Sequence, residues 1–174
     1  DSILLQYGTV SNKIVVVALN CLTVNSWNHI LVTFDGGTTG VASGSISDYY
    51  SRFKIAIDGT NQTIGGSHSN YGYNGALNGN DVSDNIFRIG RANNVYNNYF
   101  DGVINQVAIW DSNQTSNLAT IYNGGAVQDL SLLATAPSHY YEIENSVTTI
   151  TDVSGSANLT GYNFTNSNLV TDTP

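Results

Sequence analysis

Two carboxylates near the end of the chain are the side chains whose type and spacing come closest to acid–base chemistry. Glu142 and Glu144 are the only glutamates, and on a strand both would point to the same face. Hydrolysis of a glycosidic bond needs a carboxyl group on each side of that bond, yet the E-x-D-x-x-E motif in which such enzymes carry the pair is absent. We interpret the pair as a solvated strand edge and predict a chain that is not an enzyme and has no catalytic residue.

The three histidines provide neither a nucleophilic triad nor a pair with metal-binding spacing. His29, His68 and His139 lie far apart in sequence, and none accompanies a G-x-S-x-G motif. His29 follows Trp27 in an apolar run, so we expect a packed structural residue there. His68 lies in a polar segment where a solvated side chain is expected.

Oxygen ligands suited to calcium are abundant between residues 80 and 111. Calcium takes six to eight oxygen ligands from Asp, Asn and main-chain carbonyls. We predict that a calcium ion, if one is bound, is held by Asp81, Asp84 and Asp101, with further oxygens nearby in sequence from Asn80, Asn98 and Asp111. Ordinary Asx-turns are the alternative interpretation of the same residues.

Tyrosines and glycosylation motifs mark the polar segments between the apolar runs. Tyrosine serves both sugar-binding platforms and protein interfaces, so we predict a glycan-binding or interface role, with plain loop packing as the alternative, for Tyr49, Tyr50, Tyr71, Tyr73, Tyr96 and Tyr99. The N-x-T acceptor pattern occurs at Asn61, Asn113, Asn158 and Asn163. In a chain so rich in Asn and Thr, such matches also arise by chance.

Composition excludes several classes of partner. The formal net charge is −8, so a phosphate backbone or an anionic membrane surface would be repelled, and no run approaches the roughly 20 apolar residues of a membrane span. Charged residues make up 10% of the chain, and Asn, Ser, Thr and Gly supply the polarity instead. This composition favours an extracellular or virion-surface location. Cys21 is the only cysteine, so it is expected to be a buried, inert thiol.

Apolar periodicity predicts strands with one short helix. The predicted strands cover residues 3–7, 13–19, 27–34, 52–57, 85–90, 99–110, 139–144 and 147–152. The strand at 13–19 is β-branched and apolar after Lys13 and is expected to be buried on both faces, whereas 52–57 alternates as a half-buried strand should. Asp58-Gly59 predicts a hairpin turn into residues 62–64. A helix through Leu118, Ile121 and Tyr122 is expected to be capped by Thr115 or Ser116 and to end at Gly124-Gly125.

Four short motifs and a helix occur in order between residues 27 and 125. They read WNHILVTFD at 27–35, IAIDG at 55–59, FRIG at 87–90 and FDGVINQVAIWD at 100–111, and a helix ending in IYNGG at 121–125 follows. Together they resemble the concanavalin A-like domains, which include laminin G-like and pentraxin-like domains. The resemblance implies an all-β jelly-roll sandwich of antiparallel strands with one short helix. Where that family usually carries an acidic pair, this chain has Asn105-Gln106, which puts the calcium or glycan site that such a pair supports in doubt.

The segment that resembles the opening of the family stands at the end of this chain. Residues 139–161 carry its D-x-S-G-x-x-N pattern as Asp152 to Asn158. We therefore divide the chain into a sandwich at 1–136 and C-terminal strands at 137–174. These strands complete the sandwich or dock on a neighbouring subunit; a circular permutation and the start of a following domain are alternatives.

The resemblance extends to structural proteins of phages, where such domains form fibres or decorate capsids. We therefore expect a non-enzymatic module that assembles with further copies of itself into a fibre, filament or capsid decoration, with strand exchange as one route of assembly. The alternative is a calcium-dependent, lectin-like module of a larger surface protein. Exposed sheet edges invite the addition of strands from another chain, so residues 139–170 are the predicted contact between subunits.

Overall fold

A computed structural model describes residues 1–8, 13–34, 53–65, 87–90, 99–144, 148–171 and 174. Within these residues the regular secondary structure is mostly strand, in small antiparallel sheets, with one short α-helix. The strands are β1 (Ile3–Gly8), β2 (Lys13–Ala18), β3 (Ile30–Phe34), β4 (Phe53–Ile57), β5 (Thr60–Asn61), β6 (Gln106–Ile109), β7 (His139–Glu142), β8 (Thr149–Ile150) and β9 (Leu159–Thr160). They pair as β1-β2, β3-β4-β5, β6-β7 and β8-β9. The mainly-β class predicted from the sequence is confirmed.

The chain divides into two compact units. The first comprises residues 1–85 with 113–125, and the second comprises residues 86–112 with 126–174. In the described part of the chain, no helix is long and apolar enough to cross a membrane.

The first unit has its core between β2 and β4. The core consists of Val16, Ala18, Phe53, Ile55 and Ile57. Consecutive residues of β2, from Val16 to Ala18, are all buried, which confirms a strand covered on both faces. The alternation predicted for β4 is wrong, because Lys54 is its only exposed residue. The consecutive residues Ile55, Ala56 and Ile57 are all buried, so both faces of β4 are covered at this end of the strand.

A tight hairpin joins β4 to β5. Asp58 and Gly59 have φ angles of 49° and 73°, as a turn with two left-handed residues requires. The predicted turn is confirmed, although the returning strand is residues 60–61 and not 62–64. The Asp58 carboxylate accepts a hydrogen bond from the His29 N–H at 2.8 Å, and this bond ties the turn to the start of β3.

The short helix α1 (Leu118–Tyr122) lies where the periodicity predicts it, between the 3₁₀ turns Thr115–Asn117 and Asn123–Gly125. The predicted cap is wrong: Asn113 accepts from the Thr115 N–H at 2.9 Å and from its hydroxyl at 2.7 Å. An Asn side chain can accept a hydrogen bond from the backbone N–H of the residue two positions later. The turn therefore begins at Asn113, before the predicted capping residues. The left-handed residue that ends the helix is Asn123, with φ of 50°, ahead of the two glycines.

The strands of the second unit are shorter than predicted. β6 occupies only residues 106–109 of the predicted 99–110, and residues 87–90 are not in a strand. Gly90 has φ of 78°, which breaks the extended backbone there. Its carbonyl still accepts from the Phe100 N–H at 2.8 Å. The remaining 3₁₀ turns are Leu130–Leu132 and Asn166–Asn168.

Candidate functional site

The C-terminal segment is anchored by two adjacent tyrosines in β7. This strand pairs with β6, with Ala108 opposite Tyr140 and Val107 opposite Tyr141. Neighbouring side chains of a strand point to opposite faces, yet Tyr140 and Tyr141 are both almost fully buried. β7 is therefore covered on both faces and holds the residues that follow it.

A polar network satisfies the buried hydroxyl of Tyr140. It donates to Glu142 Oε1 at 2.8 Å and accepts from Gln106 Nε2 at 2.7 Å. Burial and the neighbouring Glu142 carboxylate raise the pKa of Tyr140 well above its ordinary value. The predicted solvated edge is thus wrong for Glu142, which is half-buried in this network, whereas Glu144 is exposed beyond the end of β7.

Asp152 is the centre of the turn that follows β8. Its buried carboxylate accepts four hydrogen bonds: from His139 Nδ1 at 2.6 Å and from the backbone N–H groups of Tyr140 at 3.0 Å, Gly155 at 2.9 Å and Ala157 at 3.0 Å. Burial alone would raise the pKa of this carboxyl, but the four donors outweigh it and hold the pKa well below its usual range. The charged side chain therefore links β7 to residues 152–158 through internal hydrogen bonds. We call residues 152–158 the Asp152 turn.

Further bonds close the Asp152 turn. Asn158 Oδ1 accepts from the Asp152 N–H at 2.9 Å, and the Tyr141 hydroxyl donates to the Ala157 carbonyl at 2.9 Å. A Cβ on Gly155 would lie 2.5 Å from Asp152 Oδ2 and 2.8 Å from His139 Nδ1. Only glycine leaves room for the carboxylate at that point.

Within and after the Asp152 turn the chain presents four apolar side chains to solvent. Their exposed fractions are 46% for Val153, 74% for Tyr162, 55% for Phe164 and 54% for Val170. We call these four side chains the C-terminal surface. Asp152 is the only Asp, Glu, Lys or Arg between residues 148 and 170, and its charge is buried. The four side chains are therefore apolar or uncharged, and no exposed charged residue lies between residues 148 and 170.

The predicted calcium ligands are not brought together in the described residues. Asp101 is exposed, whereas Asp81 and Asp84 lie outside the described residues. In the ranges given above, no group of three His, Cys, Asp or Glu side chains could hold a metal ion. The calcium site stays a prediction.

Tyr99 is the one predicted binding tyrosine that the structure describes. Its side chain is exposed, as are those of the adjacent Phe100 and Asp101. The other predicted tyrosines, Tyr49, Tyr50, Tyr71, Tyr73 and Tyr96, lie outside the described residues.

The four predicted glycosylation acceptors are exposed but differ in their bonding. Asn113 caps the turn before α1, and Asn158 holds the Asp152 turn, so both side-chain oxygens serve the fold. Asn61 ends the β4-β5 hairpin and Asn163 has a left-handed φ of 61°. Their modification stays a prediction.

His29 packs as expected of a structural residue. Its ring lies 5.4 Å from that of Tyr122, and within the described residues its buried Nδ1 has no hydrogen-bond partner. Burial lowers the pKa of His29, although the Asp58 carboxylate opposes the shift. The ring is therefore neutral near pH 7 and suits packing, not proton transfer.

Sequence reasoning missed Asp152 as a key residue. The D-x-S-G-x-x-N pattern contained the signal, because its Asp, Gly and Asn are the residues that form the turn. Neither the partner His139 nor the burial of Asp152 can be deduced from that pattern alone.

A scan against protein-family models, a search of curated proteins and a search of solved structures each found no match to this chain.

Proposed function

We propose that this chain is a non-enzymatic structural module that associates with further copies of itself through the C-terminal surface, as a component of an extracellular or virion fibre, filament or capsid decoration. In this proposal the small antiparallel sheets belong to a jelly-roll sandwich. The observation that carries it is the exposure of Tyr162, Phe164 and Val170 after the hydrogen-bonded Asp152 turn. In this proposal these side chains form one apolar patch, and extended apolar patches on a protein surface mark interaction sites.

The hydrogen-bonded Asp152 turn favours association. A segment that is ordered before binding loses less conformational entropy when it binds, and the turn orders residues 152–158, which precede Tyr162 and Phe164. Aromatic side chains that become buried contribute about 25 cal/mol per Å² of apolar surface. Tyr162 and Phe164 are the largest exposed side chains in the segment.

Charge favours the same surface. Two copies with a net charge of −8 each repel one another in water, and the repulsion is weakest where uncharged surfaces meet. The four side chains of the C-terminal surface meet this condition, and the Asp152 carboxylate beside them in sequence is buried among its hydrogen-bond donors. Repeated weak contacts of this kind gain strength through multivalency in an assembly.

The test is a double substitution, Tyr162→Ser with Phe164→Ser, compared with wild type by sedimentation equilibrium. Wild type is expected to associate as concentration rises, and the double variant to shift its association at least about tenfold towards monomer, the loss of roughly 1.4 kcal/mol. Leu132→Ser is the matched control, because Leu132 is 81% exposed in the same unit but lies outside the C-terminal surface. Equal association of the double variant and wild type, or a wild type that stays monomeric, would refute the proposal.

A calcium-dependent, glycan-binding module is the second candidate. It is favoured by the adjacent exposed rings of Tyr99 and Phe100 beside the exposed carboxylate of Asp101, since sugars stack on exposed aromatic rings. A glycan array with calcium and with EDTA tests it, together with a thermal-shift assay in both conditions. Calcium should raise the melting temperature by mass action, and Asp101→Asn should remove that rise.

A further inference from the structure

The second unit exposes its aromatic side chains in two separate parts of the sequence. Within the described residues, the aromatic side chains that are more than half exposed are Phe87, Tyr99, Phe100, Tyr162 and Phe164, and all of them belong to this unit. Tyr162 and Phe164 are in the C-terminal surface. Phe87 and Phe100 lie far from it in sequence, as does Val103, which is 44% exposed. We call Phe87, Phe100 and Val103 the Phe100 surface.

The two segments that carry the Phe100 surface lie side by side. The Phe100 N–H donates to the Gly90 carbonyl at 2.8 Å, and a Cβ on Gly90 would lie 4.0 Å from Ile104 Cδ1. A backbone hydrogen bond and close packing therefore join residues 87–90 to residues 100–104.

The Phe100 ring is exposed but has a fixed support. A Cβ on Gly102 would lie 2.7 Å from Cζ of this ring and 2.8 Å from its Cε1, so the ring lies directly against the Gly102 backbone. One side of the ring is thus held by the chain, and 57% of the residue is still exposed. A side chain that is ordered before binding loses less conformational entropy when it binds.

We infer that the C-terminal surface of one copy of this chain binds the Phe100 surface of the next copy, in a head-to-tail contact. This inference rests on the proposed function and deepens it by naming the surface that the C-terminal surface contacts. If the C-terminal surface bound the same surface of another copy, the contact would be isologous and would stop at a dimer. A head-to-tail contact leaves one surface of each kind unused, so association continues into a filament or closes into a ring.

The distribution of charge favours the head-to-tail contact over the isologous one. Residues 126–174 contain no Lys or Arg, and their acidic residues are Asp129, Glu142, Glu144, Asp152 and Asp172. Residues 86–112 are balanced, because Arg88 and Arg91 offset Asp101 and Asp111. Two copies repel one another less when the acidic part of one faces the balanced part of the other than when two acidic parts meet.

The side chains on the two surfaces suit one another. Each surface combines aromatic rings with valine, and aromatic rings from two partners gain from offset or edge-to-face contact in addition to the apolar area that they bury. Aromatic residues are also enriched in the buried centres of interfaces, where charged residues are scarce.

The test is complementation between two double variants, followed by sedimentation. The first carries Tyr162→Ser with Phe164→Ser and keeps the Phe100 surface, whereas the second carries Phe87→Ser with Phe100→Ser and keeps the C-terminal surface. Each variant alone is expected to associate at least about tenfold more weakly than wild type, because every contact needs one surface of each kind. An equimolar mixture is expected to regain association and to stop at a heterodimer, because only the substituted surfaces are then left.

Two further variants serve as controls. Leu132→Ser removes an apolar side chain that is 81% exposed in the same unit, and it should associate as wild type does. Val103→Glu leaves both rings of the Phe100 surface in place but adds a negative charge there, so it should repeat the loss and the rescue seen with the second double variant.

The outcomes separate this inference from the proposed function. If the first double variant loses association while the second associates as wild type does, only the head-to-tail contact is overturned. A mixture that associates no better than its two components, or a loss with Leu132→Ser equal to that of the second variant, would also overturn it. If the first variant associates as wild type does, the proposed function fails as well.

Discussion

At the scale of single residues, the Asp152 carboxylate holds residues 152–158 to β7. One carboxylate accepts bonds from His139 and from three backbone N–H groups. Hydrogen bonds to a charged acceptor are stronger than neutral ones, and a buried donor left without an acceptor is costly. The stability of the turn therefore depends on this one side chain.

Asp152→Asn is expected to destabilise the protein by about 2–4 kcal/mol, because an amide has one acceptor oxygen and sets its NH₂ group against N–H donors. Urea unfolding followed by tryptophan fluorescence measures the loss. Asp101→Asn removes an exposed carboxylate and should change the free energy of unfolding by no more than about 0.5 kcal/mol. Similar effects of the two substitutions would contradict the role given to Asp152.

His29 predicts a pH dependence of stability. Its folded pKa lies below the unfolded value of 6.5 because the neutral ring is buried. Below pH 6.5 the unfolded chain binds a proton at His29 more readily than the folded chain does. The stability that comes from the neutral, buried ring is therefore present above pH 6.5 and is lost as pH falls through the folded pKa. His29→Phe keeps a ring against Tyr122 and should flatten the fall in unfolding free energy between neutral and mildly acidic pH. An unchanged slope would show that other groups cause it.

At the scale of elements, the β4-β5 hairpin combines backbone strain with close packing. Gly59 has φ of 73°, and a Cβ there would lie 2.6 Å from the Tyr122 ring. Tyr122 is in α1, so the helix lies directly against the turn. The hairpin is therefore specified by its own two residues and also by a residue distant in sequence.

Gly59→Ala should cost more than Gly124→Ala. Both positions have a left-handed φ, at 73° and 65°, but a Cβ at Gly124 meets nothing within 4 Å. The left-handed backbone costs each variant about 1–2 kcal/mol, and the clash with Tyr122 adds about 1–3 kcal/mol at Gly59 alone. Thermal and urea unfolding of both variants measure the difference. Equal losses would mean that Tyr122 moves aside without cost.

At the scale of the whole molecule, the proposed self-association sets the net charge, which opposes it, against the exposed apolar surface, which favours it. Thirteen acidic residues stand against five basic ones, so association should be weak at low ionic strength. Raising NaCl from about 50 to about 500 mM shortens the Debye length and should strengthen association. Sedimentation at both concentrations measures this, with Tyr162→Ser and Phe164→Ser as the control that removes the apolar contribution. Association that weakens with salt would indicate an ionic interface instead.

Sequence reasoning reached the elements whose signals are local. The β-branched run of β2, the Asp58-Gly59 turn and the face of α1 formed by Leu118, Ile121 and Tyr122 are each encoded within a few residues. It failed where the partner is distant: the covered faces of β4 and the half-buried Glu142 depend on strand pairings that no local pattern contains. The cap at Asn113 was missed because an Asx-turn competes with a Thr or Ser cap over the same few positions.

What the sequence by itself determined is the mainly-β class, the turn chemistry and the low charge, because these follow from residue types and short spacings. Tertiary structure alone decided that Asp152 is buried beside His139 and that Tyr140 and Tyr141 are both covered. It also decided that Ile30 and Val32 are partly exposed, while Ile57 and Ile55 opposite them are buried. The physical reason is that burial depends on which strands lie together, and the pairings of β6 with β7 and of β3 with β4 join residues far apart in the chain.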